Sequence, residues 1–250
     1  MRALMLMTGA PVPGEEAVCI GLATKLAGEE ELAALEEAAA RISGRGVRIL
    51  LGTDARLFKP MFLWYGKIAG TKRFAAFVAK ADASPHSLGY MGEAFILEAT
   101  ALGIGTCWVG VSYNKKLAQS LVPLEEGERI VAVTPLGVAA ESYMGRPRKS
   151  LEELTGLSQE ELQALPEWQQ CALSCARLAP SAVNKQPWRF LPSEKGIELI
   201  QTGSNFGYGG GDLGIAMLHI ELGAAHGGVS GTWQETDGSA LFVLDGQAEG

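Results

Sequence analysis

The segment that decides the fold is Ala179-Pro180-Ser181-Ala182-Val183-Asn184-Lys185-Gln186-Pro187-Trp188. A helical pattern ends at Pro180, after which the short polar side chains of Ser181 and Asn184 favour a turn. The next proline disfavours helix at Gln186, which is therefore predicted to be extended at the start of a strand. Together these side chains offer the donors and acceptors that a heterocycle with carbonyl and imide edges requires. The alternative is an Asx turn that only joins a helix to a strand.

A glycine-rich segment, Gly103-Ile104-Gly105-Thr106-Cys107-Trp108-Val109-Gly110, follows a second predicted helix. Gly103 can end the helix with a positive φ, and Gly105 allows another backbone or a flat ligand to approach closely. The alternative is a helix-to-turn junction with a buried tryptophan.

Three cations lie in the run Arg146-Pro147-Arg148-Lys149, directly before a predicted helix N-terminus. Cations beside unpaired helix N–H groups suit a phosphate, although a solvated basic loop is the alternative. The whole chain has 21 basic and 28 acidic residues and a net charge of −7. This balance gives no general attraction to nucleic acid or anionic membranes, so a phosphate ligand would need a local cationic pocket.

The hydrophobic periodicity predicts helices that alternate with short strands, which is an α+β class. The four cysteines, Cys19, Cys107, Cys171 and Cys175, are predicted to be free and buried, and no metal site is expected. Predicted helices span residues 32–42 and 87–103 or begin at Ser150, Ser158, Pro166 and Asp212, and predicted strands cover 47–51, 129–133, 188–190 and 197–200.

The chain also matches itself when it is shifted by 125 residues, half its length. In both copies a helical pattern runs into a glycine-rich turn that a tryptophan follows, which suggests a duplicated unit. Two unrelated amphipathic helices are the alternative. We divide the chain into an irregular segment 1–28, a first half 29–145 and a second half 146–250. The identical pairs are Leu88 and Leu213, Gly89 and Gly214, Leu97 and Leu222, Ala99 and Ala224, Gly103 and Gly228, and Trp108 and Trp233.

The segment 179–188 resembles the signature turn of the nitroreductase family, in which an A-P-S-x-x-N-x-Q-P-W run contacts FMN. Residues 103–110 resemble the L-G-[LIV]-G-T-x-W segment of that family, and residues from about 45 to 235 resemble its fused subfamily, with two halves in one chain. The resemblance implies a nitroreductase-like α+β fold, internally duplicated, whose mixed or antiparallel sheet is flanked by helices. The implied cofactor-binding residues are Pro180, Ser181, Asn184, Gln186, Gly105, Thr106, Cys107, Arg146, Arg148 and Lys149.

The resemblance further implies an FMN-dependent oxidoreductase that passes hydride from NAD(P)H to a nitro, quinone or similar small acceptor. The flavin would carry the chemistry, so no catalytic residue is assigned. The chain lacks the family's Arg-Arg-Ser-x-Arg run before Ile49. The alternative is therefore a nitroreductase fold that has lost flavin and serves as a binding or structural protein.

The expected partner is a small-molecule electron acceptor, with neither nucleic acid nor membrane involved. No segment approaches the roughly 18 apolar residues of a membrane span, and a cytoplasmic location is predicted. A monomer that mimics a dimer is expected, with a homodimer as the alternative.

Overall fold

The computed structural model describes residues 20–25, 28–58, 67–68, 70–139 and 146–246. The chain divides into two compact units, and the described residues up to 139 belong to the first. The described residues of the second unit begin at Arg146. Among the described residues, no helix has the length and apolar character to cross a membrane.

The first unit combines three helices with two small sheets in its described part. One sheet is antiparallel with the order β2-β4-β5, and the other has the order β3-β1-β6, in which β1 runs parallel to β3 and antiparallel to β6. Its elements are β1 (Ile20–Lys25), α1 (Glu29–Ile42), β2 (Val47–Thr53), β3 (Lys67–Ile68), β4 (Arg73–Lys80), α2 (Pro85–Ala101), α3 (Lys115–Leu121), β5 (Glu128–Leu136) and β6 (Val138–Ala139).

The core of the first unit forms where α1 and α2 cover the β2-β4-β5 sheet. The central strand β4 is almost entirely buried because a hydrophobic cluster covers each face of the sheet, one around Phe77 and the other around Phe74. Phe77 of this strand stacks on Trp108 with ring centroids 4.4 Å apart and meets Phe95 of α2 edge-on at 6.2 Å. This aromatic cluster holds the glycine-rich segment that follows α2 against the sheet.

In its described residues, 146–246, the second unit has four helices and one antiparallel sheet with the strand order β7-β8-β10-β9. Ser150 and Ser158 each cap a helix through a complete capping box, as the sequence predicts. Its elements are α4 (Leu151–Thr155), α5 (Gln159–Ala164), α6 (Glu167–Ala176), β7 (Trp188–Ser193), β8 (Gly196–Gln201), α7 (Gly209–His226), β9 (Gly231–Thr236) and β10 (Ser239–Leu244).

The α+β class is confirmed, and three details of the prediction are corrected. The segment 1–28, predicted to be irregular, contains β1, while residues 1–19 and 26–27 lie outside the described residues. Helix α7 begins at Gly209 and not at the predicted Asp212, so the three glycines before Asp212 are helical. Cys107 is disulfide-bonded and is not a free thiol. Cys171 and Cys175 are free as predicted, and Cys19 lies outside the described residues.

Candidate functional site

The predicted turn exists and has an unusual backbone. A short 3-10 turn spans Ala182–Asn184 between α6 and β7. Val183, Asn184 and Gln186 have φ values of 49°, 55° and 48°, in the left-handed region. This region is costly for residues other than glycine, and most costly for a β-branched residue such as Val183. Local hydrogen bonds must therefore hold the turn in place.

Gln186 supplies several of those bonds, and its predicted extended conformation is wrong. Its side chain is 4% exposed. Its backbone N–H donates to Ser181 Oγ at 2.8 Å, and its Oε1 accepts the Lys149 N–H at 2.9 Å. Its Nε2 also donates to Asn184 Oδ1 at 3.1 Å. These bonds outweigh the extended preference that a following proline imposes.

The basic segment 146–149 is attached to the same turn. Arg148 donates through Nη2 to the Leu178 carbonyl at 2.7 Å and through Nη1 to Asn184 Oδ1 at 3.3 Å. Asn184 Nδ2 donates in return to the Pro147 carbonyl at 3.0 Å. Lys149 Nζ donates to the Gln186 carbonyl at 3.2 Å. The structure thus brings together two segments that the sequence analysis considered separately.

Two further residues hold the turn from its other side, and the sequence analysis missed both. Asp212, 3% exposed in the first turn of α7, accepts the Ala182 N–H through Oδ1 at 2.9 Å. Asn205 Nδ2 donates to Asp212 Oδ2 at 2.6 Å and to the Ala182 carbonyl at 2.9 Å. Burial raises the pKa of Asp212 to about 6, although the two hydrogen bonds that Asp212 accepts, from Asn205 and from the Ala182 N–H, oppose the rise. The sequence signal was an acidic residue early in a helix, which ordinarily reads as an exposed contribution to the helix dipole.

Some polar groups at the turn stay available for a ligand. Within the described residues, the half-buried Arg146 has neither a hydrogen bond nor an ion pair, and the Ser181 hydroxyl donates to no acceptor. Lys185 is exposed in the turn, and Pro180 is half-buried beside it. Phe206, in the neighbouring 3-10 turn, is 78% exposed and also left-handed, with φ of 59°.

The other three predicted site residues belong to the first unit, next to β5. Gly105 forms a backbone bridge with Gly137, to which its N–H donates at 2.6 Å. The Cys107 N–H donates to Thr134 Oγ1 at 2.9 Å. The backbone N–H groups of two of these three residues are therefore engaged at the sheet edge. In the described part of the chain, Thr106 has no hydrogen-bond partner.

The chain matches a family of known proteins. A family model described as "Putative TM nitroreductase" matches residues 25–224. The chain belongs to this nitroreductase family. Comparison with curated protein sequences finds no match.

Solved structures agree with the nitroreductase family assignment at the level of the fold. A putative nitroreductase from Thermotoga maritima is 18% identical, with a TM-score of 0.67, over 98% of this chain and 94% of that one. A putative NADH dehydrogenase/NAD(P)H nitroreductase from Parabacteroides distasonis is 12% identical with a TM-score of 0.47, over 61% and 96% of the two chains. An FMN-dependent nitroreductase from Clostridium difficile is 13% identical with a TM-score of 0.41, over 59% and 92%. Only the first likeness is close enough to support the fold.

The donor set at the turn fits a flavin mononucleotide in chemical type. An isoalloxazine edge needs both hydrogen-bond donors and acceptors, and the Ser181 hydroxyl together with the amide of Asn184 provides both. A phosphate needs cations without other partners, and Arg146 and Lys185 meet that condition among the described residues. The residues present therefore fit the group that the nitroreductase family implies.

Proposed function

We propose that this chain is an FMN-dependent oxidoreductase that passes hydride from NAD(P)H to a nitro, quinone or similar small acceptor. Membership of the nitroreductase family supports the oxidoreductase class. The observation that carries the cofactor is the strained turn Ser181–Gln186, whose sequence matches the family's flavin-contacting run. Backbone strain persists only where surrounding bonds fix it, and it concentrates at ligand sites.

Bound FMN would supply the two-electron redox chemistry, and the chain would bind, orient and polarise the ring. We assign Pro180 to the ring face and the Ser181 hydroxyl to its polar edge. Asn184 keeps one amide N–H beyond its bond to Pro147, and that N–H can serve the same edge. Gln186 is buried and fully bonded, so we assign it to the turn and not to direct contact.

In the first unit, the glycine-rich segment keeps one backbone donor among the three residues that the resemblance implies. The N–H groups of Gly105 and Cys107 already have acceptors, whereas Thr106 has no hydrogen-bond partner in the described part of the chain. Of the three, Thr106 is therefore the residue that can donate to a ligand. The glycine at 105 would serve by permitting the close backbone bridge to Gly137.

We favour Arg146 as the ligand of the phosphate. Two lysines can add positive charge: Lys185 is exposed in the turn, and Lys149 is hydrogen-bonded to it through the Gln186 carbonyl. The guanidinium of Arg148 already binds the Leu178 carbonyl through two nitrogens. Its task is better described as fixing the turn than as binding phosphate. This assignment changes the expectation from sequence that Arg148 carries much of the phosphate charge.

A titration of FMN and of riboflavin, which lacks the phosphate, tests these assignments. Arg146→Ala should weaken FMN binding by about tenfold, from one lost charge-assisted bond, and leave riboflavin binding unchanged. Arg148→Ala should weaken both ligands alike, because it acts through the turn. Flavin fluorescence quenching measures the affinity of both ligands for wild type and for each of the two variants. If Arg148→Ala weakens FMN alone, Arg148 is the phosphate ligand and our assignment is wrong.

A flavin-free binding or structural protein remains the second candidate, and one observation favours it. The Asn184 Oδ1 atom and the Gln186 side-chain amide are satisfied by protein atoms without any ligand, and Asn184 Nδ2 already donates one of its two N–H groups to Pro147. Purified protein that shows no flavin absorption, and that does not quench added FMN in a saturable way, would establish this candidate. NAD(P)H oxidation that depends on added FMN and on a nitroaromatic or quinone acceptor would exclude it.

The duplicated sequence leads to a proposal for assembly as well. We propose that each half stands in for one subunit of an ordinary dimer, so that a single chain suffices for flavin binding. Sedimentation of the flavin-loaded protein should then give the mass of one chain, 26.4 kDa. An obligate homodimer that loses flavin on dissociation would contradict this assembly.

A further inference from the structure

We infer that Asp212 and Asn205 are positioning residues for the proposed flavin site, because together they hold the turn Ser181–Gln186 in its ligand-binding conformation. This inference rests on the proposed function. Neither residue belongs to the sequence run that resembles the family's flavin-contacting turn. Their role follows from three features of the second unit: a closed set of hydrogen bonds, an uncompensated buried carboxylate and two adjoining strained turns.

The hydrogen bonds converge on one residue of the turn, Ala182. Its N–H donates to Asp212 Oδ1 and its carbonyl accepts from Asn205 Nδ2, so both backbone groups are held by side chains. Asn205 also donates to Asp212 Oδ2, which fixes the two side chains relative to each other. Ala182 lies between Ser181, which we assign to the ring edge, and Val183, the first left-handed residue. The pair therefore acts at the point where the chain enters its strained conformation.

The carboxylate is expensive to keep in this place. Among the described residues no cation pairs with Asp212, and burial is the largest influence on its pKa. A buried charge without a counter-ion costs stability. A neutral residue could occupy this position in the first turn of α7 at lower cost, so helix stability alone does not explain an aspartate here. Its two acceptor oxygens allow it to bind the turn and Asn205 at the same time.

The second turn carries the same kind of strain. Asn205 and Phe206 have φ values of 43° and 59°. Among the described residues, the amide oxygen of Asn205, Oδ1, is buried without a hydrogen-bond partner. Left-handed backbone and an unpaired buried acceptor both cost free energy. The structure accepts these costs where Asn205 reaches the Ala182 carbonyl, which is the arrangement expected of a positioning residue.

Three variants and a matched control test the inference. Asn205→Ala removes the donor to Ala182, and Asp212→Leu removes both acceptors together with the buried charge. Asp212→Asn keeps an acceptor for the Ala182 N–H and serves as the conservative rescue. The control, Gln169→Ala, removes a buried amide that donates to the Ser193 and Gly196 carbonyls elsewhere in the same unit.

The first measurement compares FMN affinity with thermal stability. Asn205→Ala and Asp212→Leu should raise the Kd for FMN by about tenfold or more, the effect of losing a hydrogen bond to a charged group. Asp212→Asn should stay within about threefold of wild type, because both hydrogen bonds to Ala182 can remain and only the bond from Asn205 to Oδ2 is lost. Gln169→Ala should lower the Tm and leave the Kd unchanged. The inference is wrong if the first two variants change the Kd no more than this control does.

The second measurement needs no flavin. Hydrogen–deuterium exchange of the peptide that contains residues 181–186 should be faster in Asn205→Ala and Asp212→Leu than in wild type or Gln169→Ala. Unchanged exchange would overturn the inference even if the Kd rises. If wild-type protein does not bind FMN, the proposed function fails, and exchange alone then decides whether this pair orders the turn. If Asp212→Leu does not fold, Asn205→Ala and Asp212→Asn still test the inference, because only Asn205→Ala is expected to raise the Kd for FMN by about tenfold.

Discussion

The long helices of the two units, α2 and α7, end in the same way. Each stops at a glycine with positive φ, 74° at Gly103 and 84° at Gly228, and these glycines are 125 residues apart. The three capping hydrogen bonds also correspond at that spacing. In the first unit, backbone N–H groups donate to carbonyls from Leu102 to Glu98 (3.2 Å), from Gly103 to Thr100 (2.9 Å) and from Ile104 to Ala99 (2.9 Å). In the second unit, they donate from Gly227 to Gly223 (3.0 Å), from Gly228 to Ala225 (3.1 Å) and from Val229 to Ala224 (3.1 Å).

The two helices differ in how they meet their partner helices. In the first unit, Glu98 of α2 reaches Arg41 of α1 through a salt bridge of 2.7 Å. The position 125 residues later is Gly223, where a Cβ atom would lie 2.6 Å from the Cα of Ala172 in α6. One unit thus joins its helices partly by side chains at the surface, and the other by close backbone packing. The same helix end tolerates two different packing arrangements.

The units differ again after the turn. In the second unit, β9 pairs with β10 over six residues. In the first, the corresponding segment meets β5 through the isolated bridge between Val109 and Val133 and through the bond from the Cys107 N–H to Thr134 Oγ1, and it forms no ladder within the described residues. Thr106 therefore lies outside any ladder of the described residues. The comparison teaches that a shared helix end does not require a shared strand after it.

The largest expected effect concerns the helix packing of the second unit. Gly223→Ala should lower the free energy of unfolding by about 2–3 kcal/mol, because the added methyl meets backbone atoms that cannot rotate away. Denaturant unfolding measures the change. Gly211→Ala is the matched control, since it lies in the same helix with no atom within 4 Å of the added Cβ. Equal stabilities of the two variants would show that α6 and α7 can separate at little cost.

The second prediction concerns charge at equivalent positions near the start of each long helix. Ser87 is neutral, whereas Asp212, 125 residues later, is a buried acid. Its pKa is raised from 3.8 to about 6 by burial. A raised carboxyl pKa means that the folded state binds the proton more tightly, so this contribution to stability is complete below about pH 4 and is lost as the pH rises through about 6.

The comparison of wild type with Asp212→Asn isolates that effect, because the other titrating groups are shared. Between about pH 4 and pH 7 wild type should lose about 2–3 kcal/mol relative to Asp212→Asn. Urea unfolding at several pH values measures the difference. A constant difference across this range would mean that Asp212 does not titrate with a raised pKa.

How much the sequence predicts depends on how local the cause is. The capping boxes at Ser150 and Ser158 were predicted correctly because they involve only residues within one helical turn. The turn at Ala182–Asn184 was predicted from its own short polar side chains. A continuous run of residues was therefore enough to predict the turn that carries the candidate site.

The failures have non-local causes. Gln186 adopts a left-handed conformation because of bonds to Lys149, which is distant in sequence. The glycines from Gly209 indicate a loop by composition, yet they are helical. There the chain passes so close to the Gly203 carbonyl that a Cβ on Gly209 would lie 2.6 Å from it. Strand β4 was missed because a continuous apolar run without alternation does not distinguish a buried strand from a helix.

The third prediction tests the equivalence of the two helix ends directly. Gly103 and Gly228 both have positive φ, and an added Cβ would meet no atom within 4 Å at either position. Alanine at either position should therefore cost only the left-handed backbone energy, about 1–2 kcal/mol in each case. Denaturant unfolding of the two single variants measures both costs. Costs that differ by more than about 1 kcal/mol would break the correspondence between the two helix ends.

The smallest expected effect concerns the salt bridge that the first unit has in place of close helix packing. The side chains of Arg41 and Glu98 are 63% and 39% exposed, so water screens their attraction. Their coupling energy in a double-mutant cycle should be about 0.5 kcal/mol and should decline as salt is added. Most of the association of α1 with α2 must then come from buried apolar residues such as Leu35 and Ala99. A coupling above about 1.5 kcal/mol would instead make this ion pair the counterpart of the backbone contact at Gly223, and the two units would differ in what holds their helices together.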